Sequence, residues 1–115
     1  MRYLLLIGGN DKHAPAPSPA ESQATLQAFM RFSEEIRTAG KTVAAERLRP
    51  EDQASRVRVK AGHHQITDGP FAETKEALGG FYLIECASKQ EALEWAKKVP
   101  ISEGGFVDVR PIWSM

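Results

Sequence analysis

Asp68 is the carboxylate in this sequence whose setting could give it chemistry, because it opens the run Thr67-Asp68-Gly69-Pro70-Phe71, which continues to Gly79-Gly80. A carboxylate facing a cleft can act as a general base or bind a donor group of a ligand. His64 lies just upstream, and a histidine facing the same cleft would complete a proton-transfer couple with it. Asp68, Gly69, Pro70 and Phe71, with Lys75 seven residues beyond Asp68, form the candidate ligand-binding set. The same residues have a structural reading. Asp accepts backbone N–H bonds, Gly is free to take positive φ, and Pro fixes the φ of a first helical turn. On that reading Asp68 or Gly69 caps a helix of about two turns over Phe71 to Leu78, Gly79-Gly80 ends it, and Phe71 is a core plug. A helix N-terminus also attracts anions, against which the charge of Asp68 works.

Other chemistry-bearing groups are dispersed. His63 and His64 are adjacent, so on a strand they point to opposite faces and cannot clasp one metal ion together. Nothing in the sequence calls for a metal or a cofactor. Cys86 is the only cysteine, which excludes an internal disulfide, and its apolar surroundings fit a buried, inert thiol. Arg56, Arg58 and Lys60 form a basic stripe without interleaved aromatic residues. With 15 basic and 15 acidic side chains in balance, direct nucleic-acid binding is not expected.

The elements that must position these groups follow from periodicity. Residues 2 to 8 are an apolar run ending at Gly8-Gly9-Asn10, as a buried strand ends in a turn. Ser18-Pro19-Ala20-Glu21 is a capping box with proline at the first helical position. Leu26, Phe29, Met30, Ser33 and Ile36, widened by Phe32, then mark the buried stripe of a helix of about 20 residues that Gly40 ends. Thr42 to Leu48 reads as a strand. Ser55 to Lys60 alternates strictly, with Val57 and Val59 on one face and the cations on the other. Ala61-Gly62 can turn it into a hairpin with His63 to Thr67. Phe81 to Cys86 is another strand, and Ser88-Lys89-Gln90-Glu91 opens a second helix. Its buried face is Ala92, Leu93, Trp95, Ala96 and Val99, and Pro100 stops it. Phe106 to Ile112 is the last strand, and Trp95 and Trp113 read as core or interface aromatics.

These elements predict one α+β domain spanning the 115 residues, a ferredoxin-like sheet with two helices on one face and a β-hairpin inserted between its halves. Leu4-Leu5-Leu6-Ile7 and Phe81-Tyr82-Leu83-Ile84 are apolar on both faces, so a second subunit is expected to cover the face the helices leave bare. The N-terminal apolar run is far shorter than the ~20 residues of a membrane span and lacks a cleavage site, so the expected location is cytoplasmic, with no membrane partner.

Thr67-Asp68-Gly69-Pro70-Phe71-Ala72-Glu73-Thr74-Lys75-Glu76-Ala77-Leu78-Gly79-Gly80-Phe81-Tyr82-Leu83-Ile84-Glu85 resembles the signature of the DGPF-domain branch of the YCII-related proteins. The likeness extends to Met1-Arg2-Tyr3-Leu4-Leu5-Leu6-Ile7, to Glu91-Ala92-Leu93-Glu94-Trp95-Ala96 and to Val107-Asp108-Val109-Arg110-Pro111-Ile112. The resemblance implies a dimeric α+β barrel. Some members carry a histidine near the start of the first helix and an aspartate after the second, and are suspected of being enzymes. Here those places read Ser18-Pro19-Ala20-Glu21-Ser22-Gln23 and Val99-Pro100-Ile101-Ser102, so neither partner carries over. The resemblance leaves two expectations: a homodimeric small-molecule binder or enzyme with a cleft near Asp68, or an accessory module associated with sigma-factor-dependent transcription initiation.

Overall fold

A computed structural model describes residues 1–9, 18–71 and 77–114. Six strands and two α-helices follow one another along them: β1 (Arg2–Gly9), α1 (Pro19–Thr38), β2 (Thr42–Arg47), β3 (Ser55–Lys60), β4 (His63–Asp68), β5 (Ala77–Glu85), α2 (Lys89–Lys97) and β6 (Gly105–Pro111). A single 3-10 turn, Glu51–Gln53, precedes β3. The main sheet is antiparallel throughout in the order β2-β5-β1-β6, and β3 and β4 form a separate hairpin. This is the expected α+β, ferredoxin-like sheet with an inserted hairpin. Among the described residues, no helix is long and apolar enough to cross a membrane.

Both helices begin as their capping sequences require. Ser18 Oγ accepts the backbone N–H of Glu21 at 3.1 Å, and Ser88 Oγ accepts that of Glu91 at 3.2 Å, satisfying donors that the first turn leaves free. At the other end of α1, Gly40 takes φ +76°, a left-handed conformation that leads the chain into β2 without a side-chain penalty.

Strand alternation sends Tyr3, Leu5 and Ile7 of β1 and Tyr82 and Ile84 of β5 to one face, where they bury with Phe32 and Ile36 of α1 and Ala92 of α2. Phe32 meets Tyr82 edge-on, ring centroids 5.1 Å apart. Both helices therefore cover the same face. Leu4, Leu6, Phe81 and Leu83 lie on the opposite face and are half-buried.

Four expectations need correction. Residues 72–76 lie outside the described set, but Ala77 and Leu78 are strand, so the expected helix does not reach Leu78. Gly79 and Gly80 sit inside β5 rather than ending a helix, because β5 runs on to pair with Gly8, Gly9 and Arg47. Leu26 and Met30 are exposed, 43% and 63%, and border an open groove whose opposite side includes the small residues Ala45, Gly79 and Gly80. Trp113 is 90% exposed in the single chain, which removes the core half of its reading and leaves the interface half.

Candidate functional site: the Asp68 corner and the helix–sheet groove

The hairpin forms as its alternation requires. Ala61 and Gly62 both take positive φ, +52° and +80°, the geometry whose twist matches two antiparallel strands. Val57 pairs with Ile66 and Val59 with His64, so these four side chains share one face with Ser55 and Asp68. Val57, Val59 and Ile66 remain largely exposed there. Arg56, on the other face, lays its guanidinium 3.9 Å from the centre of the Phe71 ring.

Asp68 closes the root of this hairpin. Its Oδ1 accepts the Ser55 hydroxyl at 2.9 Å, and the neighbouring Gly69 N–H donates to the Ala54 carbonyl at 2.8 Å. A Cβ on Gly69 would collide with the Glu51 carbonyl oxygen, so this position has no room for a side chain. The Gly69-Pro70 peptide is cis. Phe71 is buried, and its backbone N–H donates to Glu51 Oε1 at 3.1 Å. The corner thus folds back onto the 3-10 turn and locks the hairpin base to it.

His64 shares a strand face with Asp68 but lies four residues away, about 13 Å along an extended chain. Within one chain the two do not meet, and Ile66 stands between them. Lys75 falls outside the described residues. Beside the corner, Phe71, Arg49, Arg56, Leu48, Phe106 and Asp108 line a cleft of about 840 Å³ on the face of the sheet opposite the helices. Asp68, Gly69 and Pro70 do not line it. Among the described residues, no three His, Cys, Asp or Glu side chains gather where they could hold a metal ion.

A second cavity, of about 680 Å³, lies between α1 and the ends of β1, β2 and β5. Such a volume suits a small ligand. Leu26, Phe29 and Met30 form one wall, while Ala45, Gly79 and Gly80 form a floor too small to fill the space. Deep in the groove the hydroxyls of Ser33 and Tyr82 hydrogen-bond at 2.6 Å. Arg47 lies at the rim, on the helix-covered face beside Gly80. Sequence reasoning placed Ser33 in the buried stripe of α1 and Tyr82 in an apolar strand without joining them. Two hydroxyls within otherwise apolar faces were the available signal.

At the far end of the helix layer, Lys41 and Glu91 form an ion pair of 2.7 Å, and Glu91 also accepts the Ala87 N–H at 3.0 Å. These two bonds hold the Glu91 carboxyl below the usual range, and the hydrogen bond to Glu91 raises the Lys41 ammonium above its own. Nearby, burial pushes the Cys86 thiol up, as an apolar setting does to any group whose charged form it disfavours.

An uncharacterized protein of Rhizobium meliloti (strain 1021), R00369, is 37% identical over 114 residues, which cover 97% of this chain and 92% of that protein. The family model of the YCII-related domain matches residues 1–115, the full length over which the sheet, both helices and the Asp68 corner are laid out. The chain therefore belongs to the YCII-related family.

Proposed function

We propose that this chain is a homodimeric small-molecule-binding domain whose ligand lies in the groove between α1 and the sheet. The observation that carries the reading is the groove itself: an apolar space floored by Ala45, Gly79 and Gly80, with a hydroxyl pair and an arginine converging on it. Ligand sites have this character, mostly apolar with a few placed polar groups. The Asp68 corner supports the reading from a distance, as the clamp that fixes where the hairpin leaves the sheet.

The dimer follows from the open sheet face. Leu4, Leu6, Phe81 and Leu83 form a contiguous apolar surface that neither helix covers. A second copy laid face to face would bury it, as in two-sheet packings about 10 Å apart. Sedimentation of wild type as a dimer, and of Leu83→Lys as a folded monomer, is the expected result. A monodisperse wild-type monomer at micromolar concentration refutes the dimer.

The ligand is sought by thermal shift against a metabolite panel. A ligand present at a hundred times its dissociation constant adds ~2.7 kcal/mol to stability. One observation favours a second reading: Val57, Val59 and Ile66 present an exposed apolar strip on the hairpin, suited to a protein partner. An accessory role in sigma-factor-dependent transcription would use such a strip. A sigma-factor pulldown that Ile66→Lys abolishes, together with an empty metabolite screen, would favour that reading over the first.

A further inference from the structure

We propose that the groove takes small aromatic carboxylates, with Arg47 holding the carboxylate and the Ser33–Tyr82 pair receiving a polar group at the other end; this rests on the reading of the groove as the ligand site. Arg47 carries the argument. In register it lies opposite Gly80, two residues beyond the pairing of Ala45 with Tyr82, so it leaves the sheet on the face that α1 covers. An arginine on an edge strand is usually turned to the open side of a sheet. Here Arg47 is on the covered side and joins the lining of the groove. A Cβ on Gly80 would approach the Glu46 carbonyl to 2.8 Å, so the neighbouring backbone holds this part of the floor to a residue without a side chain.

Arg47 has no ion-pair partner among the described residues. Arg37, also on the lining, is paired with Glu34, and the carboxylate of Glu46 belongs by alternation to the opposite face of the sheet. One guanidinium, with its planar fork of donors, matches one carboxylate.

The hydroxyl pair supplies the second contact. In a hydrogen bond between two hydroxyls one donates and the other accepts, so one O–H of the pair is left over, whichever way round they are. That remaining donor is available to a ligand oxygen. Ala45 pairs with Tyr82 and Arg47 with Gly80, so the two polar groups rise from positions two residues apart on the helix-covered face, and a single ring with a polar group at each end is the ligand proposed to bridge them. Phe29, Leu26 and Met30 would flank such a ring.

The test is calorimetric titration of wild type, Arg47→Gln and Tyr82→Phe with 4-hydroxybenzoate, benzoate and the neutral isostere 4-hydroxybenzamide, with circular dichroism confirming that each variant is folded. Wild type should bind 4-hydroxybenzoate on the order of tenfold more tightly than the amide, the size of one charge-assisted hydrogen bond. Arg47→Gln should remove that preference, bringing acid and amide to equal affinity. Tyr82→Phe should weaken 4-hydroxybenzoate more than benzoate. Equal affinity for acid and amide in wild type, or an unchanged preference in Arg47→Gln, overturns the carboxylate assignment while leaving the groove as a ligand site. Absence of binding by all three probes overturns the assignment too, and the groove reading falls with it only if the metabolite panel is also empty.

Discussion

Glu51 and Phe71 are separated by twenty residues, yet the Glu51 carboxylate accepts the Phe71 backbone N–H at 3.1 Å while the Glu51 carbonyl occupies the space beside Gly69 that a side chain would need. One residue of the 3-10 turn thereby fixes two consecutive features of the corner. Gly69→Ala should force that carbonyl away and destabilise the fold by about 1–3 kcal/mol, the usual penalty of overpacking. Urea denaturation of the variant against wild type measures it.

Asp68 does its visible work as an acceptor for Ser55. An asparagine retains an acceptor oxygen at the same position, so Asp68→Asn should cost less than about 1 kcal/mol, within the net worth of one hydrogen bond. Because the corner does not line the helix–sheet groove, the variant should also leave 4-hydroxybenzoate binding unchanged. A titration that loses binding in this variant would return Asp68 to the ligand site.

The Lys41–Glu91 pair joins the start of β2 to the first turn of α2, and it makes stability depend on pH in a definite direction. Glu91 has a lower pKa folded than unfolded, so between the two values the unfolded chain binds more protons. Its contribution is present above the ordinary glutamate value, about 4.3, and is lost as pH falls through the lowered one. Lys41 is raised, so its contribution is complete below the ordinary lysine value and is lost as pH rises through the raised one. Glu91→Gln keeps an acceptor for Ala87 but removes the charge. Its denaturation midpoint should fall below wild type at neutral pH and approach it in acid.

Cys86 should resist thiol-specific reagents in the native state, because it is buried and burial raises its pKa. Labelling should proceed only as the chain opens, so the modification rate should climb with urea in step with unfolding. A rapid stoichiometric reaction at neutral pH without denaturant would contradict the packing around β5.

Local chemistry made much of the fold legible in the sequence. Ser18 and Ser88 announce the helix starts because capping depends only on neighbouring residues. The hairpin is legible for the same reason, since alternation in β3 and the Ala61-Gly62 turn are both short-range signals. The first half of β5 was hidden. Gly79-Gly80 is a helix terminator by its own chemistry, and it becomes strand only through pairing with β1 and β2. The groove was hidden further, because Arg47, Ser33 and Tyr82 are distant in sequence and meet only through register and helix packing. Arg47 alone looks like any charge at the end of an edge strand.

The fastening of the hairpin at its root has an architectural consequence. Ser55 to Asp68 and Ala54 to Gly69 are tied together at the base, while the tip is a two-residue turn whose flanking strands form no part of the main sheet. Its length is thus independent of the register of the main sheet. Pairs of residues added or removed at the tip would leave the register of β2 and β5 unshifted, so the main sheet tolerates a change in hairpin length.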